Sequence, residues 1–106
     1  MDEEMVLCAA SAYERKFYLN PEFNSLPEEV KQELQIMCVL FTEDVGGIFQ
    51  LVFSETGELE FRTSCDENDL LYDEIGCGLK IRQLQQTKQE LLEALQMYYK
   101  VLYVGI

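Results

Sequence analysis

The chain has 106 residues, 48% of them hydrophobic, which is enough to enclose one core and too little to divide into two cores without disulfides or metals. Twenty acidic against eight basic side chains give a formal charge of −12, and such a surface repels nucleic-acid phosphates and anionic lipid headgroups. With no histidine, no glycine-rich phosphate loop and no paired-cysteine motif, the chain also lacks the usual carriers of acid–base, phosphoryl and metal chemistry. The expectation is one domain over residues 1–106, not an enzyme, with no cofactor and no metal.

The first element in chain order reads as a helix from about Glu3 to Tyr18, because Val6, Ala10, Tyr13 and Phe17 recur at helical spacing. A competing arrangement makes Ala12 to Leu19 a strand, since Tyr13, Phe17 and Tyr18 favour sheets. Asn20 and Pro21 stop either one. A second helix starts at the S-x-x-E of Ser25 to Glu28, where Ser25 can cap the helix and Pro27 suits its first turn. Its apolar face runs Val30, Leu34, Met37 and Phe41. Ile36 and Leu40 widen that face, which predicts burial on two sides before Gly46 and Gly47 end the helix.

Ile48 to Ser54 and Glu58 to Ser64 are rich in β-branched and aromatic residues and are joined by Glu55, Thr56 and Gly57, so they read as a hairpin. Alternation puts Phe49, Leu51 and Phe53 on one face with Leu59, Phe61 and Thr63. After a loop, Asp69 is a plausible cap for a last helix reaching about Tyr103. At about 1.5 Å per residue such a helix is about 50 Å long, so it must project or break, and Gly76 and Gly78 mark the expected break. The fold class predicted is α+β: two N-terminal helices, an antiparallel hairpin or small sheet, and a long C-terminal helix.

Two groups of residues stand out as candidate surfaces. Ile81, Leu84, Leu91, Leu95, Tyr98 and Leu102 recur at spacings that build a seam along the last helix, interrupted by Lys88, and predict a homodimer interface. Asp66, Glu67, Asp69, Asp73 and Glu74 form an acidic patch. Asp69 and Asp73 could share a cation, but Leu70 and Tyr72 break the calcium-loop pattern, and acids at a helix start are what the helix dipole favours. Residues 1–45 carry ten acidic and three basic side chains, residues 46–78 eight and one, and residues 79–106 two and four. The acidic part therefore suits a basic protein partner, and nucleic acid and membranes are not expected partners.

Met1, Asp2, Glu3 and Glu4 are the reverse of a basic secretory leader, and no apolar run reaches membrane-span length, so a cytoplasmic location is expected. Cys8, Cys38, Cys65 and Cys77 then read as four reduced structural thiols.

Tyr18 to Pro27 (YLNPEFNSLP), Ile36 to Gly47 (IMCVLFTEDVGG), Leu70 to Gln83 (LLYDEIGCGLKIRQ) and the Met97-Tyr98-Tyr99-Lys100 end together resemble a small family of uncharacterised proteins from Gram-positive anaerobic bacteria. That resemblance implies a free-standing cytoplasmic protein of unknown function and assigns no substrate or catalytic residue. The functional expectation is an interaction or scaffold protein that self-associates through its C-terminal helix, with an acidic regulator or decoy binding a basic protein surface as the alternative.

Overall fold

In a computed structural model that describes residues 4–105, the chain opens with two strands rather than with the expected helix: β1 (Met5–Ser11) and β2 (Lys16–Leu19). Met1, Asp2 and Glu3 of the acidic start, and Ile106, lie outside the described residues. The fold class is therefore corrected: it is α+β, but without two N-terminal helices. The residues at helical spacing do not share a strand face, since a register shift between Val6 and Cys8 sets Val6 opposite Val52 and Ala10 opposite Phe49, and strand pairing overrides the helical period. Cys8 lies opposite Leu19 and Ala10 opposite Phe17, all four on one face. Small residues such as Cys8, Ala9 and Ala10 are poor strand formers taken alone. Cys8 and Ala10, on the face toward the first helix, suit a central strand because that helix comes so close that the Cys8 and Cys38 sulphurs are 3.7 Å apart.

The β1–β2 turn carries none of the usual glycine or asparagine. Arg15 itself takes the left-handed conformation, at φ 55°, and the Ser11 hydroxyl accepts a hydrogen bond from the Glu14 N–H at 3.2 Å. Asn20 then makes a corner, its side chain donating to the Val6 carbonyl at 2.8 Å and accepting from the Glu22 N–H at 3.0 Å. A short 3-10 turn, Pro21–Phe23, delivers Phe23 to the core.

Helix α1 (Glu28–Val45) begins after Pro27 without a side-chain cap, so the expected capping box does not form. Ser25 instead shares a hydrogen bond with the Tyr98 hydroxyl at 3.1 Å. Leu34, Met37, Cys38, Phe41 and Val45 are buried, whereas Ile36 and Leu40 are more than half exposed, so α1 is covered on one side rather than two. Its end is abrupt. Gly46 and Gly47 take φ of 89° and 71°, and a Cβ on Gly47 would drive into the Ser64 carbonyl oxygen and the Tyr72 ring.

The hairpin forms as expected from β3 (Ile48–Phe53) and β4 (Leu59–Ser64), with Phe49 opposite Thr63, Leu51 opposite Phe61 and Phe53 opposite Leu59. The antiparallel sheet has the order β2-β1-β3-β4. The helices cover one of its faces. Phe41 of α1 stacks on Phe49 with ring centroids 4.1 Å apart, and Tyr99 stacks on Phe53 at 4.1 Å.

The C-terminal helix does break, but not at its glycines. Helix α2 (Glu74–Thr87) is capped by Asp73, not Asp69, with the Gly76 N–H donating to Asp73 Oδ1 at 2.8 Å. A Cβ at Gly76 would meet that carboxylate and oblige it to shift, while Gly78 faces open space. The break falls at Lys88, where φ −110° and ψ 20° leave the helical region. The Thr87 hydroxyl donates to the Gln83 carbonyl at 2.9 Å, the kind of back-bonding that bends helices, and Lys88 swings to Glu33 of α1 at 3.0 Å. Helix α3 (Gln89–Tyr99) follows, then a π-helical turn, Lys100–Val104, closed by Gly105 in the left-handed region.

Candidate functional site

The predicted seam is placed mostly against the chain's own core. Leu84 and Leu95 are buried, and Ile81, Leu91 and Tyr98 pack partly buried against the same cluster that holds Phe49 and Phe53. Only Leu102 remains well exposed, beside exposed Val101 and Tyr103. The seam is thus the inner stripe of α2 and α3, and its heptad-like spacing reports burial within the chain's own core, the α2 part beside α1 and the α3 part over the sheet.

The acidic patch separates into two kinds of residue. Asp69 and Asp73 are committed to the fold. Asp69 Oδ2 accepts from the Tyr13 hydroxyl at 2.5 Å and its Oδ1 from the Leu71 N–H at 3.0 Å, while Asp73 caps α2. The Tyr13 oxygen in turn accepts from the Asp66 N–H at 2.9 Å, so a single phenol holds the loop between β4 and α2 to the tip of the β1–β2 turn. Asp69 beside that phenol raises its pKa. The carboxylates of Asp66, Glu67 and Glu74 have no hydrogen-bond or ion-pair partner among the described residues.

Between these acids stand large aliphatic side chains that sequence periodicity had assigned to a helix. Leu70 is 96% exposed, Leu71 92% and Ile75 80%, with Leu79 one turn further along α2 also exposed. The signal was present in the sequence as two adjacent leucines set among acids. It was masked by placing the helix start at Asp69, four residues too early.

Beside this loop runs a groove of about 880 Å³, walled by the β1–β2 turn, the C-terminal half of α1, and Asp69 with Leu71. Arg15 and Lys16 line it from one side, Glu43 and Asp44 from another. Neither base has an ion-pair partner among the described residues, whereas Lys31, Arg62, Lys80, Lys88 and Lys100 are all paired. A smaller groove of about 440 Å³ lies between α1 and α2, floored by Met37 and Leu84 and flanked by exposed Ile36 and Leu40. Sequence alone could not place either groove, because their walls meet only through the fold.

Three of the four thiols are buried as expected, but Cys65 is exposed in the loop. Partial desolvation by neighbouring atoms, followed by the charges of Asp69, Glu74 and Asp66, pushes its thiol pKa up, away from the reactive range. Among the described residues no three acidic or cysteine side chains converge as a metal-binding group, and no helix is long and apolar enough to cross a membrane.

The chain matches no curated protein and no solved structure. The model of DUF6145, a family of unknown function, matches residues 4–106, the stretch that holds both the exposed acidic loop and the sheet beneath it. The chain therefore belongs to this family.

Proposed function

We propose that the chain is a non-enzymatic, cytoplasmic interaction protein that binds a basic, amphipathic partner segment at the stretch from Asp66 to Leu79. The observation that carries this reading is the exposure of Leu70, Leu71 and Ile75 beside the carboxylates of Asp66, Glu67 and Glu74. Exposed aliphatic side chains of this size carry an unfavourable hydration free energy that a covering partner would relieve. The free carboxylates around them favour lysine and arginine on that partner, and the charge of −12 accelerates the encounter. Tyr13 holds the loop in place beforehand, which lowers the ordering cost of binding.

The test uses a fluorescent peptide with leucine and lysine at helical spacing, read by anisotropy. Leu70→Ser with Leu71→Ser, and separately Asp66→Asn with Glu67→Gln and Glu74→Gln, are each expected to weaken binding by tenfold or more, or about 1.4 kcal/mol. Binding should also weaken steeply with salt for the wild type and less so for the neutralised variant. Unchanged affinity in both variants would remove the reading.

Self-association along the Ile81 to Leu102 seam has less support from the geometry, because exposed apolar surface remains only at its end, around Leu102. Leu102→Glu tests what is left of it, by molar mass in solution. Leu91→Glu with Leu95→Glu reports on folding rather than on association, since Leu95 is buried in the core.

A further inference from the structure

Strand β4 is an outer strand, and β3 uses only half of its backbone groups. The Ser54 N–H donates to the Glu58 carbonyl at 2.8 Å, which sets the alternation along β4. Glu58, Glu60, Arg62 and Ser64 turn their N–H and C=O toward β3, and Leu59, Phe61 and Thr63 turn theirs outward. Leu59 agrees with this, because its N–H donates away from the sheet to Gln96 Oε1 of α3 at 2.7 Å. The outward groups of Phe61 and Thr63 have no such partner among the described residues. A row of free backbone donors and acceptors is a template for one more strand.

We propose that this edge pairs with the same edge of a second copy, antiparallel, with Phe61 facing its own counterpart. The choice of occupant rests on charge and parity. In that register Leu59 meets Thr63 of the partner copy, so outward groups meet outward groups on both sides. Glu60 then stands directly opposite Arg62 of the partner copy, and the pair occurs twice by symmetry. Sliding by two residues in either direction places Glu60 against Glu60 or Arg62 against Arg62, and sliding by one sets outward groups against groups already used by β3. Only one register satisfies both conditions. The helices lie on one face of the sheet, so a two-fold axis normal to it keeps both helical layers on the same side. Leu59 exchanges Gln96 for the Thr63 carbonyl of the partner copy, and Arg62, now held by Glu4 and Glu60, gains a second Glu60.

This inference is independent of the acidic-loop reading, because neither Leu70, Leu71 nor the free acids take part. It is tested by sedimentation and light scattering across a concentration series at physiological ionic strength, where screening over about 8 Å limits repulsion between two chains of −12. The wild type is expected to dimerise with rising concentration. Arg62→Glu should weaken the dimer at least tenfold. Glu60→Arg combined with Arg62→Glu should restore it, since the swapped charges again face each other. Thr63→Pro removes the outward N–H, together with the hydroxyl that accepts from Cys77 Sγ at 3.7 Å, and should give a folded monomer by circular dichroism; should it unfold, the charge swap alone decides. A monomer at every concentration overturns the inference, as does a dimer indifferent to Arg62→Glu or one that the double swap fails to restore.

Discussion

The two ends of the molecule are held by different physics. Around Phe53, the rings of Phe23, Tyr99 and Tyr103 meet at centroid distances of 4.1 to 6.3 Å, and Phe23 and Phe53 are wholly removed from water. The loop between β4 and α2 has its leucines outside and is fastened by a phenol, two aspartates and a helix cap. Apolar burial is non-directional and gives global stability, whereas hydrogen bonds to a loop fix a shape without adding much to it. The lesson is that the exposed leucines are presented on a positioned loop and are not the residue of a failed core.

That contrast can be broken first at its strong end. Phe53→Ala should lower unfolding free energy by about 3–5 kcal/mol in urea titration, and a loss below about 1 kcal/mol would mean the aromatic end is not the main support. Gly47→Ala acts where the two regions join. Its positive φ and the Ser64 carbonyl leave no place for a methyl group, so a loss of about 1–3 kcal/mol is expected. Arg15→Gly should stabilise the chain by about 1 kcal/mol, since glycine takes the left-handed turn position without strain. An unchanged or lower stability there would show that the arginine side chain contributes something the fold needs.

The smallest effects belong to the loop. Tyr13→Phe should leave global unfolding close to wild type while speeding amide exchange at residues 65–73, with β3 unaffected. Slowed or unchanged exchange would show that the phenol is not the fastening. The same contact sets a pH dependence. Because Asp69 raises the Tyr13 pKa, the contribution is fully present below the ordinary tyrosine value of about 10 and is lost as pH rises through the elevated one. Alkaline loosening of the loop in the wild type, absent from Tyr13→Phe, is the expected pattern.

The elements that alternate strongly, or carry an unambiguous stop, were legible in the sequence. The β3–β4 hairpin and its facing pairs follow from period two, and the end of α1 follows from two glycines. The first hairpin was hidden because Val6, Ala10, Tyr13 and Phe17 satisfy a helical period by coincidence, and because its turn uses Arg15 where a glycine would have announced it. For the candidate site, the acids were visible but their division was not. Whether Asp69 serves the fold or a partner depends on Tyr13, 56 residues away in the chain. The seam was legible as an apolar stripe, yet spacing cannot say whether a stripe meets its own core or a second molecule.

The bend at Lys88 lets one run of chain serve two neighbours, α2 lying along α1 and α3 reaching Phe53 and Leu59. It also divides that run by its tolerance of length change. An extra residue inserted within α3 would turn everything beyond it by about 100°, carrying Leu95 and Tyr99 off the sheet. One inserted at the bend can be absorbed by backbone that is already out of helical register. Insertions and deletions in relatives of this chain are therefore expected to gather at Lys88 and to spare the turns on either side of it.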